Sequence, residues 1–352
     1  MSLKGSLRRV GVALLVTAMT VGLVASAGAS PGTAPSRTAT TAGLTSVIVE
    51  PSRLGSAAGM APIYRFVLSA KKSVDMTMYE LVDPTMVADL IKDRRRGVKV
   101  RVILDTNRER SHDLAAFDAL KAGGVKVAWA NTIYEATHQK TITVDGVESL
   151  ILTGNLTAEY YTTTRDFGVF DTNPKDVKAI EAVFGADFAH KAVKPSDGAD
   201  LVWSPGSQAQ ILAVINGAHH TLSIENEEMA DSAITRALVA AAKRKVTVEV
   251  TMTADSAYDS DWAAIVKAGG HVHLYADSSS VLYIHAKAIV ADAGSSHKKA
   301  YVGSINFSSA SMNRNRELGV ITTNARIVDE LNAVLTKDYS DCTPATGCKN
   351  YR

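Results

Sequence analysis

The residues best suited to chemistry occur twice with one spacing: a histidine, a lysine two positions later, and an aspartate five positions after the lysine. The two copies are His138-Gln-Lys140-Thr-Ile-Thr-Val-Asp145 and His285-Ala-Lys287-Ala-Ile-Val-Ala-Asp292. Side chains two apart on a β-strand share a face, so each copy predicts an imidazole beside an ammonium, which suits an anion. The aspartates lie an odd number of residues after the histidines. We therefore predict that Asp145 and Asp292 point to the other face and are structural.

Uncharged hydrogen-bonding residues follow each copy, and they suit phosphate oxygens. They are Thr153, Asn155 and Thr157 after the first copy and Ser304, Asn306 and Ser308 after the second. Farther along, Asp166 and Glu317 offer one carboxylate each. A carboxylate can hold one ring nitrogen of a histidine and fix its tautomer.

If the fold brings the two copies and the residues that follow them together, two histidines, two lysines and two asparagines would surround one anion. One histidine could attack while the other protonates the leaving group. A single His-x-Lys pair is usually a surface pair, so the prediction depends on the duplication. The acidic run at Glu225, Glu227 and Glu228 could bind a metal. The first half offers Thr77, Tyr79 and Glu80 at that place, so we expect no metal.

The elements around these residues alternate between strand and helix. Residues 73–79 and 98–104 read as strands, and between them Asp83 and Pro84 open a helix that ends before Gly97. This alternation predicts an α/β layered fold.

The second half repeats the order of the first. Asp231 lies 148 residues after Asp83, Lys267-Ala-Gly-Gly270 lies 146 after Lys121-Ala-Gly-Gly124, and the histidines are 147 apart. An offset that drifts so little predicts duplicated lobes. We place them at 44–190 and 200–340, joined by a linker at 191–199 and followed by a tail at 341–352.

The chain has 352 residues, of which 46% are hydrophobic and 21% charged, as in ordinary globular proteins. Lys4, Arg8 and Arg9 precede an apolar run and then small residues, which predicts a secretory signal at 1–29 rather than a membrane anchor. A disordered leader at 30–43 would follow, and the protein would be secreted. Removal of the signal would remove three basic residues and leave 35 basic and 36 acidic residues. The net charge of the exported protein would then be close to zero and would not attract a polyanion. In an oxidising exterior, Cys342 and Cys348 should form a disulfide.

These motifs resemble those of the phospholipase D superfamily, and the resemblance covers residues 47–339. Gly303-Ser304-Ile305-Asn306 matches the family's glycine-serine-x-asparagine stretch fully. Leu152-Thr153-Gly154-Asn155 departs from it, because its glycine is displaced.

The resemblance implies two lobes related by a pseudo-twofold axis, each a mixed β-sheet flanked by helices, with the active site at their interface. It implies a phosphodiesterase that needs no cofactor and forms a phosphohistidine intermediate. The catalytic positions would be His138, Lys140, His285 and Lys287, with Asn155, Asn306, Thr153 and Ser304 on the phosphate and Asp166 and Glu317 orienting the histidines. By similarity the first histidine is the nucleophile and the second is the general acid.

Two substrates fit these expectations. The favoured one is a phospholipid at a membrane surface, such as phosphatidylcholine cleaved to phosphatidic acid and choline by a peripheral, monomeric enzyme; the balance with transphosphatidylation is open. The alternative is a secreted nuclease or general phosphodiesterase. Arg94-Arg-Arg96 and Lys243-Arg-Lys245 could form a weak phosphate-tracking surface for it. A non-enzymatic binding protein is disfavoured because both motifs are intact.

Overall fold

Strands and helices alternate along the first half as expected. The computed structural model describes residues 43–352, so the expected signal at 1–29 and all but the last residue of the expected leader lie outside the described residues. The strands are β1 Leu44–Glu50, β2 Ser73–Met78, β3 Leu81–Val82, β4 Lys99–Leu104, β5 Lys126–Trp129, β6 Thr141–Val144, β7 Glu148–Leu152, β8 Leu156–Thr157 and β9 Thr164–Asp171. The helices are α1 Met60–Leu68, α2 Pro84–Arg95, α3 Arg110–Ala122 and α4 Pro174–Phe188.

The second half repeats most of this order. Its strands are β10 Leu201–Ser204, β11 Thr221–Glu225, β12 Thr247–Thr253, β13 His271–Tyr275, β14 Tyr283–Ile284, β15 Ala288–Ala291, β16 Lys299–Gly303, β17 Glu317–Thr322 and β18 Cys348–Asn350. Its helices are α5 Gln208–Asn216, α6 Ser232–Lys243, α7 Asp259–Lys267, α8 Ser309–Asn313 and α9 Ala325–Ser340. It repeats the order without β3 and β8, and it adds the short strands β14 and β18 and the short helix α8. Residues 191–199, the expected linker, contain neither helix nor strand.

The strands form two large mixed sheets with equivalent topology. The first runs β1-β9-β7-β6-β2-β4-β5, and the second runs β10-β17-β16-β15-β11-β12-β13-β18. In each sheet three neighbouring strands are parallel (β2, β4, β5 and β11, β12, β13), and the other neighbours in these two orders pair antiparallel. The short strand β14 of the second half pairs in parallel with β9 of the first. This equivalence confirms the predicted α/β fold of duplicated lobes.

The tail closes one edge of the second sheet. Cys342 and Cys348 form the expected disulfide, and β18 then pairs with β13. Within residues 43–352, no helix is both long and apolar enough to span a bilayer.

The two lobes share part of their hydrophobic core. Each lobe has its own cluster beneath helices α1–α3 or α5–α7. A third cluster draws on both lobes: Phe167 and Val169 of β9 belong to it together with Leu318 and Val320 of β17. Burying one such side chain contributes about 1.5–3 kcal/mol, so separation of the lobes would expose costly apolar surface.

Asp83 and Asp231 cap equivalent helices. Asp83 accepts hydrogen bonds from the backbone N–H groups of Thr85 and Met86. Asp231 accepts hydrogen bonds from the backbone N–H groups of Ala233 and Ile234. The predicted start of α2 is therefore confirmed, and its copy starts α6.

The motif aspartates hold equivalent turns together, away from the histidines. Asp145 and Asp292 directly follow β6 and β15 and have left-handed φ angles of 56° and 53°. Asp145 accepts three backbone N–H groups from residues 71–73, and Asp292 accepts three from residues 219–221. These contacts fit the structural role that the spacing predicted.

We expect Asp292→Ala to destabilise the protein by about 2–4 kcal/mol, because three backbone donors lose their acceptor. Burial raises the pKa of Asp292, but the N–H groups outweigh it and leave that pKa below its ordinary value. The stabilisation should thus be full above about pH 4 and fall as the pH is lowered further. Urea unfolding at several pH values would measure it. Asp329→Ala on exposed α9 surface is the control, and a loss below about 0.5 kcal/mol for Asp292→Ala would contradict the role.

Candidate active site

Both histidine motifs lie just before a strand rather than on it. We expected each histidine and lysine to occupy a strand face. The strands begin one residue after each lysine, at Thr141 and Ala288. The reason is that the chain before each histidine pairs with the opposite lobe: Thr137 bridges Arg316, and β14 pairs with β9.

Each histidine is held by a carboxylate from the other lobe. Nδ1 of His138 lies 2.9 Å from Oε2 of Glu317, and Nδ1 of His285 lies 2.9 Å from Oδ1 of Asp166. The structure thus places both predicted orienting carboxylates on histidines, across the lobe interface. This contact directs Nε2 of each ring away from its orienting carboxylate, and Nε2 of His285 lies 3.4 Å from Oε2 of Glu227.

The lysines of both motifs are buried beside the histidines. Lys140 is 1% exposed and Lys287 is fully buried. Nζ of Lys140 donates to the backbone oxygen of His138 at 2.7 Å and lies 4.7 Å from the centre of the Tyr79 ring. Nζ of Lys287 donates to the backbone oxygen of His285 at 2.5 Å. Burial, with repulsion from Lys287, lowers the pKa of Lys140 to about 7.

The environment of His138 favours the neutral imidazole. Burial, and then the charges of Lys140 and Lys287, lower the pKa of His138 well below its ordinary value. Burial also raises the pKa of Glu317 to about 7, although Lys140 opposes that shift. A neutral imidazole that donates its Nδ1–H to ionised Glu317 presents the lone pair of Nε2, as a nucleophile requires.

Two glutamates that the sequence did not identify as site residues contact the asparagines. Nδ2 of Asn155 donates to Oε2 of Glu80 at 3.1 Å, and Nδ2 of Asn306 donates to Oε2 of Glu227 at 3.2 Å. The sequence contains no signal for this pair, because the repeat offset around them is 148 residues, which aligns Glu80 with Glu228 and Tyr79 with Glu227. The acidic run in the sequence suggests for Glu227 only a metal-binding role together with Glu225. In the structure the Glu225 side chain is fully buried.

The predicted phosphate-binding hydroxyls contact the strands that carry the orienting carboxylates. Thr153 donates to Asp166 at 2.6 Å and accepts the backbone N–H of Phe167. Ser304 exchanges hydrogen bonds with the backbone of Leu318. Both hydroxyls therefore support the carboxylates, and their contact with phosphate stays a prediction.

The departure of the first lobe from the glycine-serine-x-asparagine pattern leaves its backbone register intact. The N–H of Leu152 donates to the oxygen of Lys140 at 2.9 Å, as the N–H of Gly303 does to that of Lys287 at 3.2 Å. A glycine is required at position 154 for steric reasons, because a Cβ there would lie only 2.7 Å from Cγ of Asp166.

A buried arginine precedes each orienting carboxylate and forms an ion pair across the lobe interface. Arg165 contacts both carboxylate oxygens of Asp338 on α9, at 2.5 and 3.0 Å. Nε of Arg316 lies 2.9 Å from Oδ2 of Asp187 on α4, and its guanidinium lies 4.4 Å from the centre of the Tyr134 ring. The strand segments 165–166 and 316–317 are thus anchored to the opposite lobe by both of their side chains.

One acidic group near the site has metal-ligating atoms. Ligand atoms of Glu80, Glu109 and His112 lie within 4.8 Å of one another. His112 already contacts Glu109, with 2.5 Å between Nδ1 and Oε2. The expectation that the protein needs no metal stays a prediction.

We expect Arg316→Met to lower the free energy of unfolding by about 3–5 kcal/mol, because it leaves the Asp187 carboxylate buried without its cation. Arg326→Met breaks an ion pair with Glu330 on the surface, where the Arg326 side chain is 65% exposed. This change should cost less than about 1 kcal/mol. Chemical denaturation of both variants would compare them, and equal losses would refute the assigned role of Arg316.

Comparisons with known proteins agree with this geometry. A model of the family "Cardiolipin synthase, PLD-like domain" matches residues 63–188 and again residues 211–339. A comparison with curated protein sequences gives no significant match.

Solved structures with a similar fold come from several enzymes. Phosphatidylserine synthase from Haemophilus influenzae is 11% identical with a TM-score of 0.63, over 88% of this chain and 89% of that one. Polyphosphate kinase from Porphyromonas gingivalis is 12% identical with a TM-score of 0.66, over 87% of this chain and 48% of that one. The chain therefore spans about half the length of that kinase. A phospholipase D family member from Salmonella typhimurium is 24% identical, over 43% of this chain and 99% of that one, with a TM-score of 0.37.

The family model matches once in each lobe, and its two matches together span well over half of the sequence. Each match includes one histidine and lysine pair, one asparagine and one orienting carboxylate. The chain belongs to the PLD-like domain family, within the phospholipase D superfamily.

Proposed function

We propose that the protein is a phospholipase D that hydrolyses the distal phosphodiester of phospholipids such as phosphatidylcholine. The observation that carries the proposal is the pair of histidines, each with Nδ1 on a carboxylate of the other lobe and each beside a buried lysine. The cardiolipin synthase description of the matching family supports a lipid substrate. Export, guided by the expected signal at 1–29, and peripheral action by a monomer on a membrane surface are parts of the same proposal.

The reaction would proceed in two steps. Nε2 of His138 attacks phosphorus, the bond from phosphorus to the headgroup oxygen breaks, and His285 donates a proton to that oxygen. Water then gives a proton to His285 and attacks phosphorus, which releases His138 and phosphatidic acid. The pKa of His138, lowered by burial, favours it as the nucleophile, and Lys140 and Lys287 would neutralise the phosphoryl oxygens.

The basic runs give little support to the alternative of a nuclease. Arg94 donates to the backbone oxygen of Gly124, Arg96 pairs with Asp93, and Arg244 donates to the oxygens of Asn216 and Ala218. These arginines are engaged near helix ends. They are therefore less suited to track a nucleic-acid backbone.

We expect His138→Ala and His285→Ala each to reduce headgroup release from phosphatidylcholine vesicles by about 10³-fold or more, because nucleophile and proton donor are both required. His297→Ala, on the exposed turn between β15 and β16, is the matched control and should retain activity. Full activity of either active-site variant would disprove the paired-histidine mechanism. Plasmid cleavage without headgroup release, lost in the same variants, would favour the nuclease.

Removal of metal ions should leave headgroup release within about twofold of the untreated rate, since the proposed steps use only histidine chemistry. The assay would compare the wild type before and after dialysis against a chelator. Loss of activity that a divalent cation restores would contradict the mechanism and direct attention to Glu80, Glu109 and His112.

A further inference from the structure

A carboxylate occupies the part of the site that the second lobe would offer to phosphate. Oε2 of Glu227 lies 3.0 Å from Nζ of Lys287, 3.4 Å from Nε2 of His285 and 3.2 Å from Nδ2 of Asn306. The three second-lobe groups expected to face a phosphodiester thus all contact one carboxylate oxygen. The other oxygen, Oε1, accepts a hydrogen bond from Tyr283 at 3.3 Å.

The first lobe lacks this arrangement, because Tyr79 lies at the position that corresponds to Glu227. Oε2 of Glu80 contacts Asn155, but Lys140 makes no ion pair among residues 43–352 and faces the Tyr79 ring instead. The duplication has therefore produced two unlike halves. Lys287 is neutralised by Glu227, whereas Lys140 contacts an aromatic ring and no carboxylate among residues 43–352.

Glu227 is held in its ionised form by the cations around it, and its side chain is partly exposed. Burial opposes its ionisation, but His285, Lys287 and His138 outweigh that effect and hold the pKa of Glu227 well below its ordinary range. Its side chain is 25% exposed, whereas Lys287 beneath it is not exposed. An incoming anion would therefore meet this carboxylate.

We propose that Glu227 is a specificity-determining residue that limits the phosphate-binding site to singly charged phosphodiesters. By neutralising Lys287 it lowers the positive charge that the site offers to an anion, which suits the single charge of a diester. A phosphomonoester or inorganic phosphate carries more negative charge near neutral pH and is repelled more strongly. The inference rests on the proposed function, because it assumes that a phosphodiester binds between the two lysines.

The same charge would assist product release. Hydrolysis converts a singly charged diester into a monoester whose second ionisation lies near pH 6. The product therefore gains charge beside Glu227. The carboxylate therefore repels the product more strongly than the substrate.

Binding of two probes without lipid would test the inference. Dimethyl phosphate represents the diester and inorganic phosphate the more highly charged anion, both titrated calorimetrically at about pH 8, where inorganic phosphate is mainly a dianion. The wild type should bind dimethyl phosphate more tightly. Glu227→Gln, which keeps an acceptor for Asn306, should bind inorganic phosphate about tenfold or more tightly than the wild type does.

Glu80→Gln is the control, because it removes a carboxylate that contacts the asparagine of the first lobe but forms no ion pair with a lysine among residues 43–352. Its affinity for inorganic phosphate should stay within about threefold of the wild type. Unchanged phosphate affinity in Glu227→Gln, or an equal gain in Glu80→Gln, would overturn the inference. Tighter binding of inorganic phosphate than of dimethyl phosphate by the wild type would also overturn it, even if a variant failed to fold.

The outcomes separate this inference from the proposed function. Headgroup release from vesicles combined with unchanged phosphate affinity in Glu227→Gln would refute only the role of Glu227. Absence of headgroup release combined with the expected change in affinity would refute the lipid substrate and retain the charge selection for another phosphodiester.

Discussion

The site depends on an exchange of carboxylates between the two lobes. Glu317 of the second lobe holds His138 of the first, and Asp166 of the first lobe holds His285 of the second. Each lobe therefore supplies the catalytic histidine of one half-site and the orienting carboxylate of the other. A single lobe would contain both residue types but could not assemble either pair.

The surrounding structure fixes this exchange in one arrangement. A buried arginine beside each carboxylate pairs with the closing helix of the opposite lobe, and the chain before each histidine pairs with the same strand segment. Breaking one member of a buried ion pair is costly, so these contacts resist small shifts between the lobes. Within this symmetric frame the charges are unequal, because Glu227 forms an ion pair with Lys287, whereas Lys140 forms none with any of residues 43–352. Such inequality suits a reaction in which one histidine attacks and the other donates a proton.

Much of the fold was readable from the sequence because its signals are local or repeated. Asp83 as a helix cap and the aspartates at the two turns follow from spacing and neighbouring residues. The crossed partners were not readable, because His138 and Glu317 are 179 residues apart and either carboxylate could have served either histidine. The contact between Glu227 and Lys287 was hidden for a related reason. Tyr79 aligns with Glu227 in the sequence, but only the structure shows that these two residues lie beside Lys140 and Lys287.

The crossed pairing can be tested directly by NMR of the histidine ring nitrogens. We would compare the ¹⁵N resonances of His138 and His285 in the wild type, Glu317→Ala and Asp166→Ala. The structure predicts a crossed pattern, in which loss of Glu317 changes mainly the Nδ1 resonance of His138 and loss of Asp166 changes mainly that of His285. A pattern in which each carboxylate affects the histidine of its own lobe would contradict the account.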